Sequence, residues 1–205
     1  MTELRVYLPI EDLQPQFSAW LSSPTRARAY PPFKGQNSLI IEVAPALSIH
    51  KIADLALKAA PDMEPGLLFT ERQFGLLELH ADKMSDLDAA GNAILSGIGA
   101  SASDQLSPKI LYHEIIEDLA DQHALILNRS RDGSILIPGV SLLIYEMTPA
   151  LLACVAANEA EKVAPNATIN DVQMMGASGR IFMSGTLDEM KIARDRITEI
   201  LSNIK

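Results

Sequence analysis

The sequence predicts an α/β (α+β) fold built from two tandem copies of one domain, and three observations support this prediction. The segment that starts at Leu39 matches the segment that starts at Leu143 without gaps, at an offset of 104 residues. The segment Leu8 to Leu21 matches Glu114 to Leu127 at an offset of 106 residues. Each copy also shows strand-like and helix-like patterns in the same order. Such self-similarity indicates a duplicated structural unit.

The duplication extends over almost the whole chain. We place the two copies at residues 1–100 and 107–205, on either side of the short polar linker "ASASDQLS". Roughly a dozen identities fall within roughly forty positions, which is more than unrelated segments of this composition would share. The matched pairs include Glu42 with Glu146, Pro45 with Pro149, Lys58 with Lys162, Pro61 with Pro165 and Gly75 with Gly179.

The first half of each copy predicts a strand, a short helix and a second strand. "ELRVYLPI" and "KILYHEII" are rich in β-branched and aromatic residues, as strands are. "EDLQPQFSAWL" and "EDLADQHALIL" follow as short helices whose acidic first turns suit the helix dipole. "SLIIEVAP" and "SLLIYEMTP" contain short apolar runs that are typical of central strands.

The second half of each copy predicts a helix, a hairpin and a final helix. Apolar residues recur at three and four positions within 46–60, and the equivalent helix is expected at 150–164. A proline follows both helices. The hairpins are expected at 67–80 and 169–184, and the last helices at 85–96 and 187–202. The unit is therefore an α/β sandwich with helices on one or both faces of an antiparallel or mixed sheet.

Composition and charge exclude several classes of function. The chain has 205 residues, 48% hydrophobic content and a net charge of -9, so the basic surface that nucleic-acid binding requires is absent. The basic run from Arg129 to Arg131 precedes an Asp-Gly pair and is expected to be a solvated loop. The single cysteine, Cys154, is expected to be a buried core thiol. No signal-peptide pattern and no long uncharged run occur, so we expect a cytoplasmic protein with no membrane partner.

The residues that carry chemistry do not assemble into a catalytic or metal site. The four histidines lack metal-ligand spacing, and we expect no metal and no cofactor. The glycine-rich "GASGR", Gly176 to Arg180, is followed by a strand-like segment, whereas a phosphate loop opens a helix. We therefore expect a tight loop between two strands. Glu159 and Glu161 are two apart on a helix, cannot converge on one substrate, and are expected on a solvated or interfacial face.

The chain resembles the bacterial microcompartment shell proteins, and in particular their tandem-domain, circularly permuted trimers with gated pores. The likeness rests on "ALKAAP" and "NEAEKVAP" in the two copies, combined with the hairpin that carries "ERQFG". It covers nearly the whole chain. It implies two tandem circularly permuted ferredoxin-like domains per chain and three chains per ring, which together form a flat pseudohexagonal disc that tiles with other shell proteins.

The resemblance also implies roles for particular residues. The pore or gate would contain Glu71, Arg72, Gln73 and Phe74, with the two charged side chains ringing a threefold axis through which small metabolites pass. A second-domain pore or chamber loop would contain Gly176, Ala177, Ser178 and Gly179, although Ser178 stands where the family usually has an aromatic residue. Disc-edge contacts would involve Lys58, Lys162 and Asn158.

Two interpretations remain open at this point. The first is a non-enzymatic structural shell protein whose trimers carry a large gated pore, and the resemblance leaves open whether two trimers stack face to face. The second is a trimeric regulator with a ferredoxin-like fold that binds a small effector at subunit clefts.

Overall fold

The computed structural model describes residues 2–23, 29–130 and 133–204. These residues form two compact units, the first extending to Ser107 and the second running from Pro108 to Ile204. The polar segment "ASASDQLS" packs with the first unit. It contains the short 3-10 helix Ala102–Asp104, and Gln105 accepts a hydrogen bond from the backbone N–H of Tyr7 at 3.0 Å.

The first unit contains four strands and three α-helices in the predicted order. They are β1 (Glu3–Ile10), α1 (Pro15–Leu21), β2 (Asn37–Ala44), α2 (Ser48–Ala59), β3 (Glu64–Thr70), β4 (Gly75–Ala81) and α3 (Met84–Ile98). The sheet has the order β1-β2-β4-β3 and is antiparallel throughout. This decides between the antiparallel and mixed sheets that the sequence allowed.

The second unit repeats this arrangement with a second antiparallel sheet, of order β5-β6-β8-β7. Its elements are β5 (Lys109–Ile116), α4 (Asp121–Ser130), β6 (Ser141–Thr148), α5 (Leu152–Val163), β7 (Thr168–Gln173), β8 (Gly179–Gly185) and α6 (Leu187–Asn203). The α6 helix begins with a reciprocal capping box between Thr186 and Glu189.

Each sheet contributes side chains to an apolar core. In the first unit, alternate residues of β2 (Leu39, Ile41 and Val43) pack with α2 and α3 in one apolar core. Because side chains alternate along a strand, Ser38, Ile40 and Glu42 lie on the opposite face. In the second unit, that opposite face holds a smaller apolar cluster formed by Leu119, Ala124, Leu136 and Leu142.

The short helices α1 and α4 start later than the sequence predicts. Asp12 and Asp118 adopt left-handed backbone conformations, with φ of 57° and 50°. Aspartate tolerates this region better than most residues because its short side chain can bond locally. In the first unit, Gln14 Nε2 donates to Asp12 Oδ2 at 3.0 Å. The acidic pairs therefore precede the helices. The predicted acidic first turn is wrong for α1, which has no acidic residue there, whereas α4 has Asp121 in its first turn.

The basic segment also differs from its prediction. Arg129 lies in the last turn of α4, where a cation favours the helix dipole, and is not in a loop. Arg131 lies outside the described residues. Cys154 is buried, as predicted. No helix among the described residues has the length and apolar character that a bilayer span requires.

Candidate functional site: the Glu71–Phe74 hairpin loop and its anchor

The candidate gate residues form the tip of the β3–β4 hairpin. The backbone N–H of Glu71 donates to the Phe74 carbonyl at 2.8 Å, and the N–H of Phe74 donates to the Glu71 carbonyl at 2.9 Å. These two bonds close a two-residue loop in which Arg72 and Gln73 are exposed, while Glu71 and Phe74 are partly exposed. The loop therefore projects one cation and one amide into solvent from a base closed by two backbone hydrogen bonds.

An arginine on a different strand anchors the base of this loop. Arg5 Nε on β1 donates to Glu42 Oε1 on β2 at 2.7 Å. The guanidinium carbon of Arg5 lies 3.8 Å from the centroid of the Phe74 ring, which is a cation–π contact. No pattern in the sequence predicts this partner for Phe74. The only available signal was Glu42 itself, because a carboxylate inside the apolar run "SLIIEVAP" needs a cation nearby.

The Glu42 carboxyl has an unusual electrostatic environment. Its side chain is 1% exposed, whereas that of Arg5 is 16% exposed. Burial raises the pKa of Glu42 above its ordinary value, and Arg5 opposes this rise only in part. The negative charge of Glu71 also contributes to raising the pKa of Glu42. The charge of Glu71 in the hairpin loop therefore affects protonation of the buried Glu42 carboxyl.

The equivalent loop of the second unit is held in a different way. Ser178 Oγ donates directly to Glu146 Oε1 at 2.5 Å, and Arg180 Nε donates to the same oxygen at 2.9 Å. These bonds lower the pKa of Glu146, with that from Ser178 contributing most. Thr148 Oγ1 also donates to the Ala177 carbonyl at 3.2 Å. Gly176 to Ser178 lie in the predicted loop between β7 and β8, whereas Gly179 and Arg180 begin β8. Gly176 has a φ of 122° that favours glycine.

The candidate edge lysines occupy different environments despite their equivalent positions. Lys58 is 73% exposed and pairs with Asp54 one helical turn away, at 2.6 Å. Lys162 is only 28% exposed and pairs with Glu159 at 2.7 Å. Asn158 has no exposed surface. The expectation that Asn158 contributes to a disc edge is therefore wrong for this chain, because a fully buried side chain cannot contact a neighbouring disc.

The glutamates on α5 are also not solvated. Glu159 and Glu161 are both buried. Glu159 pairs with Arg196 of α6 as well as with Lys162. Burial alone would raise the pKa of Glu159, but the two cations outweigh it and hold this pKa below its ordinary value. Of the solvated or interfacial face that was expected, the solvated alternative is therefore wrong: the buried Glu159 carboxylate pairs with the partly exposed Lys162 and Arg196.

A buried polar network in the first unit was missed by the sequence analysis. Ser38 Oγ donates to Glu78 Oε1 at 2.6 Å, and His80 Nδ1 lies 3.2 Å from Glu78 Oε2. His80 Nε2 lies 3.4 Å from the carboxylate of Glu64. Burial opposes protonation of His80, but Glu78 and Glu64 outweigh it and raise the pKa of His80. Alternation of Glu78 and His80 with apolar residues in "GLLELHA" was the signal that could have revealed it.

Several parts of the described chain expose apolar side chains. In the second unit, β5 is exposed at Ile110, Leu111 and Tyr112, and a separate patch contains Leu125, Ile126, Ile135 and Ile137. In the first unit, Leu47 at the start of α2 is exposed, whereas its equivalent Leu151 is buried. Exposed apolar areas of this kind mark contacts with other protein surfaces.

The described residues do not contain a group of three or more histidine, cysteine or acidic side chains that could hold a metal ion. A recess in the second unit is lined by Ser141, Thr186 and Glu189, among others. Thr186 and Glu189 are engaged with each other in the helix cap of α6. The recess therefore offers little polar chemistry beyond that cap.

Comparison with known proteins identifies the family. The model of the CsoS1D N-terminal domain matches residues 4–104. The carboxysome shell protein CcmP of Synechococcus elongatus is 39% identical over 183 residues, covering 89% of this chain and 84% of the relative. The carboxysome shell protein CsoS1D of Hydrogenovibrio crunogenus is 35% identical over 205 residues, covering 100% of this chain and 98% of the relative. The chain belongs to the microcompartment shell protein family.

Solved structures of shell proteins agree over the full length. The double-ringed trimeric shell protein MSM0271 from the RMM microcompartment has a TM-score of 0.96 and 55% identity, and the match covers 100% of this chain and 98% of that one. The fused permuted hexameric shell protein MSM0275 from the same microcompartment has a TM-score of 0.93 and 38% identity, with 98% of each chain covered. The predicted α+β fold of two tandem permuted shell domains is confirmed. Family membership also favours the shell protein over the ferredoxin-like regulator.

Proposed function

We propose that this shell protein is non-enzymatic and forms trimers whose threefold axis is ringed by the Glu71–Phe74 loops, which gate the passage of small metabolites. The observation that carries this proposal is the exposed two-residue tip, closed by paired backbone bonds, with Glu71 and Arg72 adjacent. Around a threefold axis, three glutamates and three arginines meet at one opening. Two arrangements of these solvated charges differ by only a few kcal/mol, since surface ion pairs contribute about 0–1 kcal/mol each.

The exposed apolar surfaces support assembly into trimers. An apolar strand face such as that of β5 is stabilised when another chain covers it, and Leu47 at the start of α2 adds one exposed apolar side chain in the first unit. A closed ring requires two different surfaces that meet head to tail, and β5 and α2 supply such a pair. The relative MSM0271 is described as trimeric and double-ringed.

The patch formed by Leu125, Ile126, Ile135 and Ile137 is the surface that we assign to stacking between two trimers. Its members belong to α4 and to the segment before β6. Face-to-face stacking brings the same patch of two rings together, as an isologous contact requires. Lys58 is the residue that we assign to the disc edge, because it is exposed and its ion pair is local. The Gly176–Gly179 loop is assigned to the second-domain side of the pore or chamber.

The decisive experiment compares the wild-type protein with a Glu71→Ala/Arg72→Ala variant by cryo-electron microscopy. The gate predicts that the narrowest opening on the threefold axis widens, or loses one of its two states, while the ring stays intact. An Arg194→Met variant serves as a control, because Arg194 pairs with its neighbour Asp195 at 2.7 Å on α6. An unchanged opening in the double variant would overturn the gate.

Edge contact is tested separately with a Lys58→Glu variant. We expect trimers of normal size by analytical ultracentrifugation, and loss of ordered sheets by negative-stain microscopy. Sheets identical to those of the wild type would contradict the edge role. Lys162→Glu is a poorer test, because it would place a second acidic group beside the partly buried Glu159 and thereby disturb the fold.

A further inference from the structure

We infer that Arg5 is a positioning residue that biases the state of the Glu71–Phe74 loop, an inference that rests on the gate proposed above. Arg5 lies on β1, which is separated from β4 by β2 in the sheet order β1-β2-β4-β3. Its guanidinium nevertheless reaches the residue that precedes β4. It does so by bonding to Glu42 on the intervening strand and by covering the ring of Phe74.

The contact acts on the loop through the backbone. Phe74 exchanges two hydrogen bonds with Glu71, at 2.8 and 2.9 Å, so the two residues that flank the tip are coupled. A displacement of the Phe74 ring therefore shifts the peptide of Glu71 and changes the direction of the tip. Arg5 holds the ring from one side with a planar cation whose own position is fixed by a buried carboxylate.

The contact also acts on the loop through charge. The negative charge of Glu71 contributes to raising the pKa of the Glu42 carboxyl, so the two charges repel each other. Arg5 neutralises Glu42 and so weakens its repulsion of Glu71. The loop state that keeps Glu71 near Glu42 is consequently favoured while Arg5 is in place, and the alternative state gains population when Arg5 is removed.

The second unit has no equivalent of the contact between Arg5 and the Phe74 ring, because neither residue type is present at the equivalent positions. Leu111 stands at the position equivalent to Arg5, and Ser178 stands at that of Phe74. There the loop is tied to the strand glutamate by a direct hydrogen bond at 2.5 Å, without an arginine stacked on an aromatic ring. Control by an arginine of the first strand is therefore specific to the loop that carries Glu71 and Arg72.

The test separates positioning from folding. Arg5→Met alone leaves the Glu42 charge buried and unpaired, so the main variant is Arg5→Met/Glu42→Gln, in which the buried group is neutral. Phe74→Leu removes the ring and keeps the Arg5–Glu42 pair. Arg194→Met is the matched control. All four proteins, including the wild type, are compared by the ratio of pore states in cryo-electron microscopy of trimers whose melting temperatures have been measured.

We expect the double variant and Phe74→Leu to shift the ratio of pore states in the same direction, by about fivefold, which is the bias that one cation–π contact supplies. Arg194→Met should leave the ratio unchanged. A wild-type ratio in both test variants, in a protein where Glu71→Ala/Arg72→Ala does change the opening, would overturn the positioning role and leave the gate standing. An opening that ignores Glu71→Ala/Arg72→Ala would instead remove the gate itself, and the inference with it.

Discussion

The two units carry the same glutamate at the same place in the central strand, yet they neutralise it from opposite sides. Glu42 receives its arginine from β1, and the pair is almost fully buried. Glu146 receives its arginine from β8 and is 30% exposed, with Arg180 49% exposed. In the first unit the cation also covers an aromatic ring, whereas in the second a serine bonds the carboxylate directly. The two copies thus retain the strand glutamate, but the arginine that neutralises it lies on a different neighbouring strand in each copy.

The difference extends to the same sheet face further along. Ser38, Glu78 and His80 form a buried polar network in the first unit. The equivalent positions in the second unit hold Leu142, Phe182 and Ser184, and the first two belong to an apolar cluster with Leu119 and Leu136. On this sheet face the first unit therefore buries the titratable side chains Glu78 and His80, where the second unit has the apolar Leu142 and Phe182. The stability of the two units should respond differently to pH and to mutation at these positions.

The largest difference is expected when each arginine is removed. Arg5→Met should lower the free energy of unfolding by about 3–5 kcal/mol, because Glu42 then remains buried without a partner. Arg180→Met should cost at most about 1 kcal/mol, because Glu146 is partly solvated and keeps Ser178. Chemical denaturation of both variants measures this. Adding Glu42→Gln to Arg5→Met should restore most of the loss, and equal costs for the two arginines would contradict the comparison.

Alanine at the paired glycines should instead affect both units alike. A Cβ at Gly75 would lie 2.5 Å from the Cβ of Ile49, and a Cβ at Gly179 would lie 2.9 Å from that of Ala153. Gly75→Ala and Gly179→Ala should each destabilise by about 1–3 kcal/mol, the cost of overpacking where a strand meets a helix. Thermal unfolding would show it. Gly99→Ala is a contrasting control, because nothing lies within 4 Å of its Cβ and its φ of 68° alone disfavours alanine.

Between pH 6 and pH 9, the pH dependence of stability should arise from His80 in the first unit. The pKa of His80 is raised in the folded state, so its contribution to stability is fully present below the pKa of the unfolded chain, about 6.5. That contribution is lost as pH rises through the higher folded value. Melting temperatures from pH 6 to pH 9 should therefore fall more steeply for the wild type than for His80→Gln. Parallel curves would show that the network around Glu78 and Glu64 does not favour the protonated ring.

The smallest effect is expected at Lys58. Its pair with Asp54 is exposed and lies within one helix, so Lys58→Ala should change the free energy of unfolding by about 0.3–0.5 kcal/mol. Lys162→Ala should cost more, because Lys162 shares the buried Glu159 with Arg196. Urea denaturation of the two variants side by side checks this order. The reverse order would mean that the exposure of the two lysines does not control their energetic roles.

Much of the fold could be predicted from the repeat alone. The order of strands and helices and the loop at Gly176 to Ser178 could be predicted from the sequence patterns of the two copies. The starts of α1 and α4 could not be predicted, because the residues that follow the left-handed Asp12 and Asp118 are held by backbone hydrogen bonds to residues distant in sequence. Leu13 N–H, for example, donates to the Gln36 carbonyl at 2.8 Å.

The candidate site was predictable at its tip and not at its base. Glu71 and Arg72 are visible in the sequence as charges at a turn. Their support by Arg5 depends on strand order, since β1 and β4 are far apart in the chain and meet only through β2. The burial of Glu159 and Asn158 was likewise hidden, because helical periodicity describes one face and α5 is buried from Leu152 to Glu161 without a break.

The placement of the two arginines limits how the halves of this gene can be recombined. Arg5 is encoded upstream of its glutamate, whereas Arg180 is encoded downstream of the corresponding one. A chimera that exchanges residues 38–81 with residues 142–185 would give the first half two guanidinium groups for one carboxylate. The second half would receive a carboxylate facing only leucines. The two copies therefore share a fold, but these segments cannot be exchanged between them without unbalancing the charge of the strand glutamate.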